Sequence, residues 1–244
     1  MSGVNLFLDS SSLSSEPDDF LVTYPDGINL QNKKWELALV NCNVWYSWFN
    51  IASYYDNNVL KIFFSDQWKL LHIADGIYDT EQLNEVIKQQ LTELNLDPEL
   101  VTLKPNYSTL RLVIKLKPGA RIDLRRGLLN ELLGFEQKIV YQTEQGTKPV
   151  DITRGVDSIL IHCNIIESSY VNGMSSDILY SFMPNSAPGS LIQISPNNPI
   201  YLPIQQLDKI AYIRMRLTDQ KNRPLNLNGE HVVYHLHLRP IKLF

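Results

Sequence analysis

Three histidines near the C-terminus, His231, His235 and His237, have a spacing that suggests metal chemistry in the stretch GEHVVYHLHLR. On an extended strand, His235 and His237 would face the same side with Cα atoms about 6.5–7 Å apart, which suits a zinc or copper pair. His231 would lie about 13 Å away along the strand, too far to complete that site, and the sequence nominates no further ligand. The pattern therefore favours a polar outer strand face or a contact between subunits over a metal site.

Nucleophilic catalysis has no recognisable motif in this sequence. There is no Gly-x-Ser-x-Gly elbow, no metalloprotease helix and no P-loop. His162 and Cys163 are adjacent, so on a strand their side chains face opposite ways and cannot form a catalytic pair. We predict no catalytic residue, no metal ligand and no cofactor. A hydrolase with dispersed carboxylates stays open, because paired carboxylates can lie far apart in a chain.

A group of three arginines, Arg121, Arg125 and Arg126, could hold a phosphate or could form a solvated helix start. The whole chain carries a formal charge of −4 and has a pI near 5.7. This charge argues against a surface built for duplex nucleic acid. We therefore expect no specific nucleic-acid binding.

The aromatic run WYSWF (Trp45–Phe49) has two open interpretations, burial between two layers and exposure at a protein interface. Side chains alternate along a strand, so some of these rings should point away from the core. The segment VNLFL near the N-terminus adds further apolar side chains. The candidate interface residues are Leu6, Phe7, Trp45, Trp48, Phe49, His235 and His237.

The elements that position these residues are mainly strands. Apolar and polar residues alternate in segments spaced about ten residues apart and separated by Gly, Pro, Asn and Ser, which is typical of a sandwich. The segment following Asp79 changes to helical spacing, with Asp79 and Gln82 as a capping box. A second, short helix is predicted over residues 128–133, with Gly134 as its stop.

These patterns predict a mainly β protein, a single jelly-roll antiparallel β-sandwich with a small α/β insertion. We expect a flexible N-terminal arm over residues 1–19, because this segment is serine-rich and ends in acidic residues. The jelly-roll domain is expected over residues 20–244, with the insertion at about residues 75–135. The arm could be a tail without a role, or it could dock on a neighbouring molecule.

The composition gives further expectations about compartment and solubility. The two cysteines, Cys42 and Cys163, lie in apolar strand-like runs and are predicted to be reduced and buried. No signal peptide is visible, and no apolar run approaches the ~20 residues of a membrane span. We therefore expect a soluble protein that is made in a reducing compartment.

Several segments, taken in order, resemble those of one family of viral proteins. They are GIYDTEQLN, STLRLVIKL, LLNELLGFE, SILIHCNIIESSYVNG, NPIYLPI and RLTDQKNRPLNLNGEHVVYHLHLR. Together they cover about residues 75–240 and resemble the minor capsid, or penton, proteins of Polinton (Maverick) elements and the related adintoviruses. The chain departs from that family at its final hairpin, where His235 and His237 replace mixed charged side chains.

The resemblance implies a single jelly roll that forms homopentamers at the fivefold vertices of an icosahedral capsid. It implies contact with the double-jelly-roll major capsid protein, location in the virion, and synthesis in the host cytoplasm or nucleus without secretion. The family brings no catalytic residues. A carbohydrate- or ligand-binding β-sandwich module stays open as the alternative, and saturable glycan binding by a monomer would distinguish it.

Overall fold

The computed structural model describes residues 3–12, 16–31, 33–151, 156–167 and 169–241, and strands dominate this part of the chain. The elements in chain order are β1 (Val4–Asp9), β2 (Asp19–Asn29), β3 (Trp35–Trp45), β4 (Val59–Phe64), β5 (Gln67–His72), α1 (Thr80–Glu93), β6 (Val101–Asn106), β7 (Arg111–Leu116), β8 (Arg121–Asp123), α2 (Leu129–Leu133), β9 (Ile139–Val140), β10 (Glu144–Gln145), β11 (Ile159–Cys163), β12 (Ser169–Val171), β13 (Met174–Ser176), β14 (Ile178–Phe182), β15 (Leu191–Ile194), β16 (Leu202–Pro203), β17 (Lys209–Asp219) and β18 (Val232–Pro240).

The chain divides into two compact units, and the second is inserted in the sequence between β3 and β11. The first unit comprises Met1–Trp48 and Val156–Phe244, and the second comprises Phe49–Gly155. The second unit is therefore longer on both sides than the insertion expected at residues 75–135. The difference arises because β4 and β5 alternate as sandwich strands do, and no local pattern reveals that they belong to a sheet with β8 and β9.

Eight strands of the first unit form four nested antiparallel pairs. The outermost pair is β1 with β18, followed by β2 with β17, β3 with β15, and β11 with β14. They lie in two sheets, a first sheet of order β1-β18-β3-β15 and a second sheet of order β14-β11-β17-β2, and the short β16 also pairs with β3. Nested pairs rolled into two sheets make a jelly roll, so the predicted fold class is confirmed.

Each sheet of the jelly roll buries one face in a common core. In β18, Val232, Tyr234, Leu236 and Leu238 are all buried, as the alternation predicts. The Tyr234 ring reaches Phe20 of the second sheet, with ring centroids 6.0 Å apart. Burying a side chain of this size contributes about 1.5–3 kcal/mol, so this shared core holds the two sheets together.

Both cysteines are unpaired and buried in this core, as predicted. Burial raises the pKa of the Cys163 thiol to about 12, which keeps it protonated at neutral pH. His162, its neighbour in β11, lies outside this apolar cluster and bonds side chains of the opposite face. The prediction that these two side chains face opposite ways is thus confirmed.

The N-terminal segment differs from the flexible arm predicted over residues 1–19, because it contains β1. Leu6 and Leu8 point into the core, while Phe7 between them points outward. Immediately after the strand, the Ser10 side chain is buried, and its Oγ accepts a hydrogen bond from the main-chain N–H of Val232 at 3.0 Å. The serine-rich composition of this segment therefore conceals a short strand, whose inward face consists of Val4, Leu6 and Leu8.

The second unit combines two antiparallel sheets, of order β5-β4-β8-β9 and β10-β7-β6, with two helices around a separate apolar core. Helix α1 begins with the predicted capping box, since Asp79 accepts from the Gln82 main chain at 2.8 Å and Gln82 accepts in return at 3.0 Å. Helix α2 ends at Gly134 with a φ of 74°, as predicted. Within the described residues, neither helix has the length and apolar character that a bilayer crossing requires.

Candidate interaction surface

The side of the first sheet that faces away from the jelly-roll core, called here the outer face, carries four of the seven candidate interface residues. Phe7 lies on β1, Trp45 on β3, and His235 and His237 on β18. Phe7 is 70% exposed and Trp45 is 41% exposed, while the two histidines are half-buried. Alternation along the strands explains this placement, since the residues on either side of Phe7 and of each histidine fill the core.

Phe7 and His235 form a stacked pair on the two strands at one edge of the outer face, β1 and β18. Their strands pair in register, and their rings stack with centroids 4.3 Å apart at an interplanar angle of 17°. His235 Nε2 lies 3.0 Å from Oδ1 of Asn5, an acceptor, so the ring nitrogen donates to it. The stack and the hydrogen bond hold both rings in place, so their exposed surface is preorganised for a contact.

His237 belongs to a second group of ordered side chains on the same strand. Its Nδ1 shares a hydrogen bond of 2.7 Å with the Tyr201 hydroxyl. The Arg239 guanidinium lies over the Tyr201 ring, 3.3 Å from its centroid, and also donates to Glu36 at 2.7 Å. This chain of contacts orders the polar end of the outer face and pairs its charges.

Trp45 lies at the opposite end, beside a leucine that the interface prediction missed. Leu191 of β15 is its register partner, and the leucine is 45% exposed. The alternation of SLIQIS contains the signal for an outward Leu191, because Ile192 is buried in the core. The proximity of Leu191 to Trp45 depends on a strand pairing across 146 positions, which no local pattern predicts.

Three of the candidate interface residues do not lie on this face. Leu6 and Trp48 are buried in the jelly-roll core, at 5% and 3% exposure. Phe49 is half-buried and belongs to the second unit. Of the two interpretations of the aromatic run, burial therefore describes Trp48 and exposure describes Trp45.

The histidines of the last strand do not converge on a metal site. Within the described residues, no group of three or more His, Cys, Asp or Glu side chains could hold an ion. Nε2 of His235 and Nδ1 of His237 engage Asn5 and Tyr201 instead. The exposed His231 lies just before β18.

One buried histidine on the second sheet has the geometry of a catalytic triad. His162 Nδ1 lies 2.6 Å from Oδ1 of Asp177, and Nε2 lies 2.9 Å from Oγ1 of Thr218. The hydroxyl is unsuited to attack, because Thr218 is only 2% exposed and its Oγ1 also bonds the main-chain oxygen of Asp219 at 3.1 Å. Thr218 is also absent from the wall of the neighbouring cavity, so a substrate there would not meet it.

Comparisons with known proteins yield only distant similarity. No protein-family model and no curated protein matches the chain. Among solved structures, it is similar to the mavirus penton protein, with 12% identity over 98% of this chain and 99% of that one and a TM-score of 0.47. It is also similar to a chain of the Sputnik virophage, solved by cryo-EM, with 12% identity over 98% and 97% and a TM-score of 0.43. At this degree of likeness, the fold is assigned from the strand order of the chain itself.

Proposed function

We propose that this protein is a structural subunit of an icosahedral virus capsid, the penton or minor capsid protein of an element related to Polintons and adintoviruses. The observation that carries the proposal is the ordered aromatic surface on the outer face of a single jelly roll. Exposed, preorganised aromatic side chains are typical anchors of protein interfaces. The ordered series of sequence segments from GIYDTEQLN to the final hairpin supports the same family.

We further propose that five copies form a closed ring at a fivefold vertex and contact the double-jelly-roll major capsid protein. A ring of identical subunits joins two different patches on each chain, so the outer face would supply one patch and another surface the second. Phe7 and Trp45 are then the expected anchors, because both are exposed and aromatic. The contact needs no cofactor and no catalytic group.

The test is the solution mass of the purified full chain by native mass spectrometry at moderate salt, alone and mixed with the major capsid protein of the same element. We expect a dominant mass of five chains in at least one of the two conditions. A monomer in both conditions, at micromolar concentration and with no complex formed with the shell protein, would contradict the proposal. A dimer would contradict it too, since a two-fold contact uses one self-complementary patch.

A further inference from the structure

The second sheet carries a cavity of about 560 Å³ on its outer side, within the first unit. The hairpin of β12 and β13 forms one wall, and side chains of β11 and β17 form the floor. This volume lies within the range of about 300–1,000 Å³ that is usual for small-molecule sites. Neither the proposed vertex role nor the candidate interface residues account for it.

The cavity has an apolar part and a polar part. Leu160, Val171, Met174 and Ile178 contribute the apolar surface. The polar groups include two carboxylates, one guanidinium, and several amides and hydroxyls. A pocket with apolar walls and a few converging polar groups is the usual form of a ligand site.

Asp177 is held in place at this cavity by the buried His162. Because the carboxylate can only accept, His162 Nδ1 carries a proton and donates to it at 2.6 Å. This hydrogen bond, with a smaller contribution from Arg216, lowers the pKa of Asp177 to about 2. Asp177 is thus a fixed, ionised acceptor on the cavity wall, and its side chain stays partly open to solvent.

Two side chains near Asp177 have hydrogen-bond donors that are available for a ligand. The Arg216 guanidinium contacts Asp177 and His162 through Nη2 alone, which leaves its Nε and Nη1 donors unpaired among the described residues. Asn164 uses its Oδ1 to accept from the Arg214 main chain, so its side-chain N–H groups are unpaired within that same part of the chain. The lining of the cavity therefore combines unpaired donors with the Asp177 acceptor.

The charge of the cavity disfavours an anionic ligand. Among the acidic and basic side chains that line it, the carboxylates of Glu167 and Asp177 outnumber the single guanidinium, that of Arg216. A phosphate or a nucleotide needs unpaired cationic groups, and the guanidinium here already faces a carboxylate at 3.4 Å. A neutral ligand with many hydroxyl groups fits better, because each hydroxyl both donates and accepts.

We propose that this cavity binds a neutral glycan, with Asp177 accepting from one sugar hydroxyl, Arg216 and Asn164 donating to others, and Met174 and Val171 covering the apolar face of the sugar ring. The binding site lies wholly on the second sheet and its hairpin. It is a further activity of the jelly-roll unit, separate from ring formation by the first sheet.

The experiment is a screen of the purified full chain on an array of neutral and charged glycans, followed by titration calorimetry with the best neutral ligand. We expect saturable binding of a neutral glycan. Asp177→Asn should weaken it at least tenfold, because the amide replaces an ionised acceptor in the same shape. Ser175→Trp, on the exposed hairpin, should abolish binding by filling the cavity.

Asp19→Asn is the matched control, since Asp19 also pairs with a β17 arginine, Arg214, at 2.7 Å but does not line the cavity. The affinity of the Asp19→Asn chain for the glycan should stay within twofold of that of the parent chain. No binding to any neutral glycan at millimolar concentration, selective binding of an apolar or charged peptide instead, or glycan binding that survives both cavity variants would each overturn the proposal. Native mass spectrometry of the same preparation gives its oligomeric state. A failure of glycan binding can therefore be distinguished from a failure of ring formation.

Discussion

The two outer faces of the jelly roll carry different chemistry on the same architecture. The first sheet presents an open aromatic surface, with Phe7 stacked on His235 and Trp45 beside Leu191. The second sheet exposes Tyr212 and Leu21 on its outer side, and it also bears a cavity with charged and polar groups in its lining, beside a hairpin. Both sheets contribute to one core, so the difference is confined to the residues that alternate outward.

This contrast shows where the functional information of a sandwich lies. The inward positions of both sheets are filled by similar aliphatic and aromatic side chains, because one core has to be packed densely. The outward positions have no such constraint, so one face can suit a flat protein contact and the other a small polar ligand. The assignment of two roles to two faces can be tested one face at a time.

Replacing Phe7 with lysine should give the largest effect, loss of the five-chain species. Phe7 is exposed on β1, an edge strand, where a lysine is well tolerated in the free chain. In a contact, the same lysine would be desolvated without a partner, so we expect at least a tenfold fall in the assembled fraction by native mass spectrometry. Glycan binding at the second sheet should not change.

Leu70→Lys is the control for this substitution, because Leu70 is also exposed on an edge strand, β5 of the second unit. This variant should assemble as the parent chain does. Equal assembly of the Phe7→Lys and parent chains would show that the outer face of the first sheet is not a ring contact.

The next effect concerns stability and distinguishes a core strand from an arm. Leu8→Ala should lower the free energy of unfolding by about 2–5 kcal/mol, because Leu8 is buried and its removal leaves a cavity. Phe7→Ala should cost less than about 1.5 kcal/mol, since it removes mainly the stacking on His235. Urea unfolding of both variants measures the difference. Costs below about 0.5 kcal/mol for both would indicate a dispensable arm.

Much of the fold could be predicted from the sequence, because local rules determine it. The alternation in β18 places Tyr234 in the core and His235 on the opposite face. The capping box formed by Asp79 marks the start of α1. The N-terminal strand was missed because its two inward leucines are followed by serines that indicate a loop. The limits of the second unit were missed because strand partners are set by long-range pairing.

The sites were harder to predict, since each depends on contacts between distant segments. The spacing of the three histidines suggests one shared site, yet His237 is ordered by a hydrogen bond with Tyr201, from another part of the chain. The sequence places His162 beside Cys163, whereas its hydrogen-bond partners in the fold are Asp177 and Thr218, 15 and 56 positions away. A single sequence contains the alternation that exposes a residue, but not the strand register that gives it neighbours.

The smallest effect concerns how two carboxylates, Asp177 in the first unit and Asp123 in the second, contribute to stability as pH falls. Asp123 there is buried and receives two hydrogen bonds from the Arg125 guanidinium, at 2.9 and 3.0 Å, and these lower its pKa to about 2. Asp177 has a similar pKa, chiefly through His162. The same Asp→Asn substitution can therefore be made once in each unit, and its effect on the free energy of unfolding can be compared as pH falls.

A carboxyl whose pKa is lower in the folded chain than in the unfolded chain stabilises the fold at pH values above the ordinary Asp pKa, near 3.9. That stabilisation is lost as pH falls towards 2. For Asp177, which is partly open to solvent, we expect about 1–2 kcal/mol after screening. Asp177→Asn should therefore be less stable than the parent at pH 6, and in urea unfolding the gap should narrow as pH falls below about 4 and close only below about pH 2. Asp123→Asn should remove a different contribution to the pH dependence of the free energy of unfolding, the one that comes from the second unit. An Asp177→Asn chain with the same pH slope as the parent would show that His162 does not hold an ionised acceptor at the cavity, and the glycan site would lose its anchor.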